Sequence, residues 1–375
     1  MRIGRIRSYV IRYEDTNDHG NWRHTVLVRV ETADGVVGWG EGIAMWPEAC
    51  KATRLLIDEG FGPLLIEAGD ITIDEAWRRM RTHAWWYGEG GIACFAYSAL
   101  DMALWDIEGK IEGRPICDLL GGKVHESLPA YVANHVNKAT REENIAEVVG
   151  FKQQGYAGCK LGFGKRGLSD IGRDPDNDVA FVAELRAAVG PDFDIVVDAG
   201  NGVVWDRQTG IDTVRRMAEY GIGWIEEPFY PTRIEDYRAL KDALPNVPIG
   251  TGEREFTVTQ YKRLIETGTV DVVGVDPARA EGITGFRKID ALCGAAGIAI
   301  NAHAWSTAIL TAASLQLSLA SPNARLIELK PFPVPVQGDL VEAPIGQENG
   351  VVRAPAGPGL GIRVNEAVVE RLEIT

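Results

Sequence analysis

Six short apolar runs in this chain each end in an ionisable side chain, and those six side chains are where chemistry should be sought. They are Ile195-Val196-Val197-Asp198, Trp224-Ile225-Glu226-Glu227-Pro228, Ile249-Gly250-Thr251-Gly252-Glu253, Val272-Val273-Gly274-Val275-Asp276, Ile298-Ala299-Ile300-Asn301-Ala302-His303 and Leu326-Ile327-Glu328. Asp198, Glu226 and Glu253 end consecutive runs. Three neighbouring carboxylates raise one another's pKa and cannot all stay ionised unaided. A divalent cation resolves this, and an all-oxygen set without Cys or His suits Mg²⁺ better than Zn²⁺. The plainer reading, that an acid at a strand end caps the next helix or pairs with Lys or Arg, accommodates one such residue more easily than three in succession. Asp276 and His303 end the next two runs. An aspartate accepting from one imidazole nitrogen fixes the tautomer and raises the basicity of the other. Lys160 lies near the end of an earlier run, where it either faces the same pocket or stands in solvent at a loop.

Each run reads as a buried strand. The runs recur about every 25 to 30 residues, the length of one βα unit, and parallel barrels collect their active sites at the C-terminal strand ends. Helical patterns fall between them at 178–189, 209–220, 234–243, 257–267, 284–296 and 307–320, several stopped by a glycine (Gly190, Gly221, Gly268, Gly297). Earlier units add strands at 130–134 and 157–162, with Thr140 and Glu143 forming a capping-box pattern between them. The first 128 residues break this rhythm. Strands at 3–13 and 25–32 (Val26, Val28 and Val30 on one face) lead through Ala33-Asp34-Gly35 into Val36–Glu41. Helical patterns follow at 74–82 and 91–110, the second with Ala96, Leu100, Ala103, Leu104 and Ile107 on one stripe. The fold expected is α/β: a modified (β/α)8, TIM-like barrel over residues 129–330 with an N-terminal α+β capping domain over 1–128. The Pro-rich segment 331–375 returns to complete that cap.

The formal charge of −14 argues against a nucleic-acid or anionic-membrane partner. Five scattered cysteines without a Cys-x-x-Cys pair suggest reduced thiols. The start carries no apolar leader and no run approaches the ~20 residues of a membrane span, so a cytoplasmic protein is expected.

Taken together, these residues resemble the enolase superfamily in its mandelate racemase subgroup, over nearly the whole chain. The motifs that carry the likeness are Gly38-Trp39-Gly40-Glu41, Ala99-Leu100-Asp101-Met102-Ala103-Leu104-Trp105-Asp106, Leu119-Leu120-Gly121-Gly122, the Glu-Glu-Pro at Glu226, the Gly-Glu at Glu253 and the Asp276/His303 pair. The resemblance implies that Asp198, Glu226 and Glu253 bind Mg²⁺, that Asp276 with His303 forms the acid/base dyad, and that Glu328 touches a substrate carboxylate. It also implies a homo-oligomer. One departure stands out. The subgroup commonly has Lys-x-Lys at the end of the second strand, whereas this chain reads Lys160-Leu161-Gly162. Both ends of that triplet face one side, so the usual second base is a glycine, which counts against two-faced racemisation. The expectation is dehydration of a sugar acid, an aldonate or aldarate, to a 2-keto-3-deoxy acid. His303 acts as acid and Lys160 or His303 as the α-base. Rival readings are an epimerase, racemase or cycloisomerase on the same metal scaffold, an aldolase-like barrel using Lys160 as a Schiff-base amine, and a non-catalytic sugar-acid binder. Gly162-Phe163-Gly164-Lys165-Arg166-Gly167 matches a dinucleotide fingerprint but is followed by loop residues rather than a helix, so a loop over the site is expected instead. Substrate-contact candidates are His19, Trp22, Trp85, Tyr87 and Asn301.

Overall fold

The computed structural model describes residues 1–88, 90–164, 169–200, 202–203 and 205–374. Strands β1 (Ile3–Asp15), β2 (Asn21–Thr32) and β3 (Val37–Met45) form an antiparallel sheet in that order. Val26, Val28 and Val30 are buried against the helices of this domain, while Leu27, between them, joins Tyr9 and Ile11 in a core shared with the barrel helices and the C-terminal tail. The sheet is therefore covered on both faces.

Its glycines decide how closely the cap can pack. Gly38 and Gly40 alternate on β3 and face the helix Ile92–Glu112. A Cβ on Gly40 would lie 1.9 Å from the Ala99 carbonyl oxygen, and one on Gly38 would lie 2.2 Å from that of Ala103. Only a residue without a side chain permits that approach. The same helix differs from the one-stripe expectation. It is buried nearly all round, because its other flank meets the barrel helix Gly282–Ala296. There Trp105 Nε1 donates to Thr284 Oγ1 at 2.9 Å, and Asp101 accepts from Thr284 N and Oγ1 at 2.9 and 2.6 Å.

Eight parallel strands build the barrel: β4 (Leu128–His135), β5 (Gly158–Gly162), β6 (Asp194–Asp198), β7 (Ile225–Glu226), β8 (Ile249–Thr251), β9 (Val272–Val275), β10 (Ala299–Ala302) and β11 (Ile327–Leu329). They pair in chain order from β4 to β10, with β11 on the far side of β4. The Ile300–Ala324 bridge brings β10 against the approach to β11, nearly closing the ring. Capping boxes at Thr140/Glu143 and Thr257/Gln260 start two of the intervening helices. The tail adds β12 (Val351–Val352) antiparallel to β4. It ends with Ile374 N donating to Val10 O at 2.8 Å, on the first strand of the cap. Among the described residues no helix is long and apolar enough to cross a membrane.

Candidate active site

The C-terminal strand ends open on a cavity of about 340 Å³, lined among others by Lys160, Asp198, Glu253, His303 and Glu328 from the barrel and by Arg23, Ile43, Met45 and Trp46 from the cap. Strand register brings the acids together. Asp198 pairs with Glu226 across β6 and β7, and Gly162 pairs with Asp198 across β5 and β6.

Lys160 reaches into this cluster rather than into solvent. Its ammonium lies 2.6 Å from Glu226 Oε1, 3.3 Å from Glu328 Oε1 and 3.8 Å from Asp198 Oδ2. Burial pushes the lysine's pKa down, but the surrounding carboxylates outweigh it and hold the pKa well above the ordinary range. Burial raises Glu226, with Lys160 opposing and Glu328 and Glu253 adding to the rise. Its second oxygen accepts from Trp224 Nε1 at 3.0 Å. Burial would raise Glu253 too, yet His303, Lys160, Arg254 and Arg279 together bring it to about 2. Glu328 Oε1 also accepts from Asn301 Nδ2 at 2.5 Å, so Asn301 orients a carboxylate at the cavity wall.

The dyad forms across β9 and β10. Asp276 Oδ1 accepts from Ala278 N at 2.8 Å, and Oδ2 lies 2.9 Å from His303 Nδ1. Because a carboxylate only accepts, Nδ1 carries the proton there, and Nε2 is left 3.7 Å from Glu253 Oε2. Burial lowers the His303 pKa, but the bond and charge of Asp276 and the charge of Glu253 raise it above the ordinary value. The cap grips the segment that follows. Buried Glu41 accepts from Thr25 Oγ1 at 2.9 Å and from Ser306 and Thr307 Oγ1, at the start of helix Ala308–Ala320.

Of the Glu-Glu pair, only Glu226 joins the cluster. Glu227 takes φ of 45° and binds Arg254 Nε at 2.8 Å, which in turn places that guanidinium 3.5 Å from Glu253. Arg254, Arg279, Arg23, His135 and Trp305 all line the cavity and were not picked out from sequence. His135 had the available signal, since it ends a strand as the other six groups do.

The remaining candidates lie elsewhere. Trp22 stacks on Arg12 with 55% of its surface exposed, and Trp85 and Tyr87 stand on the outer surface, none of them among the residues lining the cavity. His19 is exposed at the rim, its ring 6.1 Å from that of His135. Residues 165–167 of the glycine-rich loop lie outside the described residues.

The carboxylates suit a hard cation by chemistry, and Lys160 marks the point on which oxygens of Asp198 and Glu226 already converge. A second convergence sits at the rim, where ligand atoms of Asp18, His19 and His135 fall within 4.8 Å of one another. Arg23 pairs with that aspartate at 2.8 Å, and a fixed cation there opposes a divalent one.

A TIM-like barrel with acids and a His–Asp pair at its C-terminal rim, closed by an α+β cap, defines a barrel enzyme class. Comparison with known proteins gives the family. Residues 143–368 match the "Enolase C-terminal domain-like" family and residues 20–121 match the "Mandelate racemase / muconate lactonizing enzyme, N-terminal domain" family. The chain belongs to the mandelate racemase / muconate lactonizing enzyme family of the enolase superfamily. It is 32% identical to D-galactonate dehydratase from Ralstonia pickettii, over 92% of this chain and 90% of that one. It is 28% identical to D-galactarolactone cycloisomerase from Agrobacterium fabrum, over 97% of each. The crystal structure of the 3,6-anhydro-D-galactonate cycloisomerase from Zobellia galactanivorans superposes with a TM-score of 0.88 at 28% identity, covering 100% of both chains.

Proposed function

We propose that this protein dehydrates a sugar acid to a 2-keto-3-deoxy acid, with His303 moving the protons. The observation that carries this reading is the His303–Asp276 bond of 2.9 Å, which leaves Nε2 available in the carboxylate-lined cavity. Lys160 is engaged by three carboxylates, and Gly162 stands where a second base would be. One proton-transfer group therefore serves one face of the substrate.

Asp198, Glu226 and Glu253 would hold Mg²⁺, which supplies positive charge beside the substrate carboxylate while the α-carbon loses its proton. Lys160, held in place by Glu226 and the Asn301-oriented Glu328, fixes the carboxylate end. His303 Nε2 takes the α-proton, and Asp276 stabilises the imidazolium formed. The same imidazolium then protonates the β-hydroxyl, which leaves as water from the same face. The enol product tautomerises to the 2-keto acid. D-galactonate and arabinonate dehydratases among the relatives support the substrate class.

A second reading, cycloisomerisation, is favoured by the relatives that carry that name with nearly complete coverage. Incubating the Mg²⁺-loaded protein with panels of aldonates, aldarates and their lactones separates the two. Dehydration gives a 2-keto acid that semicarbazide traps and that is lighter than its substrate by one water, whereas isomerisation leaves the mass unchanged. Cycloisomerisation consumes a lactone or anhydro sugar by opening its ring. Absence of both products, with no α-deuterium exchange in D₂O, would overturn the proposal.

A further inference from the structure

A buried ion pair outside the carboxylate cluster ties the end of the last barrel strand to the cap. Lys330, one residue beyond β11, places Nζ 2.5 Å from Asp15 Oδ2, with side-chain exposures of 2% and 0%. Burying both charges is costly unless each is fully engaged. Asp15 Oδ1 accepts from Asn17 N and Nδ2 at 3.0 and 3.2 Å, while its carbonyl accepts from Gly20 N at 2.9 Å. Asn17, itself buried, returns to the barrel side: Nδ2 donates to Phe332 O at 3.0 Å and Oδ1 accepts from Phe332 N at 2.9 Å. Thr16 Oγ1 adds a bond to Pro333 O at 3.0 Å. Asp15, Thr16 and Asn17 thus each bond across to residues 330–333.

What the patch holds is a wall of the cavity. The Lys330 ammonium sits 5.1 Å from the Trp305 ring centroid. Trp305 stacks on His135 at 5.2 Å and 30°, and His135 on His19 at 6.1 Å and 27°. Asp18, inside the tied segment, grips Arg23. Trp305, His135 and Arg23 all line the cavity, and they offer flat rings and N–H donors, the groups that suit a polyhydroxylated chain.

We propose that the Asp15–Lys330 pair is a positioning latch. It sets Arg23, His135 and Trp305 at the spacing that binds the hydroxylated part of the substrate, and it acts through them rather than on the reacting atoms. This rests on the sugar-acid reading above for the identity of the ligand but not for the existence of the latch. Loosening a wall that contacts ground state and transition state alike raises KM and leaves kcat nearly unchanged.

Two variants test it, Lys330→Met and the double variant Asp15→Asn/Lys330→Met. Lys330→Met strands a buried carboxylate. The double variant removes both charges and should recover most of the thermal stability, since a neutral buried pair is tolerated where a lone charge is not. If the pair is a latch, both variants raise KM about tenfold or more with kcat within about threefold of wild type. Amide exchange at residues 16–20 also quickens in both. If the pair only contributes stability, KM in the double variant returns to the wild-type value along with Tm, and the proposal is overturned. Unchanged exchange at residues 16–20 overturns it as well. Should Lys330→Met not fold, the double variant decides alone. Should the wild-type protein turn over no sugar acid, the reading of function fails, and the exchange measurement still judges the latch.

Discussion

Replacing Asp276 with Asn probes the dyad while changing almost nothing in volume. The Ala278 amide donates to Oδ1 at 2.8 Å, so in Asp276→Asn the side-chain carbonyl stays on that amide. Its NH₂ group then faces His303 Nδ1 across the 2.9 Å gap. An amide NH₂ donates, so Nδ1 must become the acceptor and the ring proton moves to Nε2. The nitrogen directed into the cavity can no longer take a proton from carbon, and the imidazolium loses its charged partner. General acid–base catalysis contributes about 10²- to 10⁴-fold, so kcat should fall by that factor, equivalent to about 3 to 5 kcal/mol of barrier. The assay is 2-keto acid formation under saturating substrate and Mg²⁺, beside α-deuterium exchange in D₂O. Both should fall together, with Tm close to wild type because the variant is isosteric. Turnover within about threefold of wild type would refute the assignment of His303 and Asp276 as the proton-moving pair.

Other perturbations have equally definite outcomes. Removing divalent ions with EDTA should abolish turnover and added Mg²⁺ should restore it; activity indifferent to EDTA, together with trapping by borohydride, would point to Lys160 as a Schiff-base amine. Lys160→Met should destabilise the ion-free protein by about 3 to 5 kcal/mol, because Glu226 and Glu328 lose a buried counter-charge. Part of that loss should return on adding Mg²⁺, read as Tm by calorimetry. Gly40→Ala must drive a methyl group against the Ala99 carbonyl, so it should cost about 3 kcal/mol or more in chemical denaturation. Burial raises Asp101 to about 7 despite the bonds from Thr284. A carboxyl raised above its unfolded value stabilises fully below that value, and the contribution is lost as pH rises through the folded one. Stability should therefore fall between about pH 4 and pH 7 by up to ~4 kcal/mol from this group, and Asp101→Asn should flatten that slope.

Much of the barrel was legible because buried parallel strands leave uninterrupted apolar runs and their C-terminal ends leave charge. All eight runs became strands, and Asp198 and Glu226 fell opposite each other as the unit spacing required. Boundaries were less exact where capping carried the signal. The helix expected from Asp178 begins at Pro175 behind an Asp174 cap, and the one expected from Thr209 begins at Arg207 behind Asp206. Periodicity reports only which face is buried, whereas the first turn of a helix is set by side chains that need not be apolar.

By itself the sequence determined which groups stand at the strand ends and hence which chemistry is available, because alternation and unit length are local properties of the chain. Tertiary structure alone decided what those groups touch. It turned Lys160 into the counter-charge of three acids, diverted Glu227 from the cluster to Arg254, and left Trp22, Trp85 and Tyr87 away from the cavity. The reason is physical. An aromatic or charged side chain on a cap loop has the same local signal whether it faces the cavity or solvent, and only the packing of cap against barrel settles which.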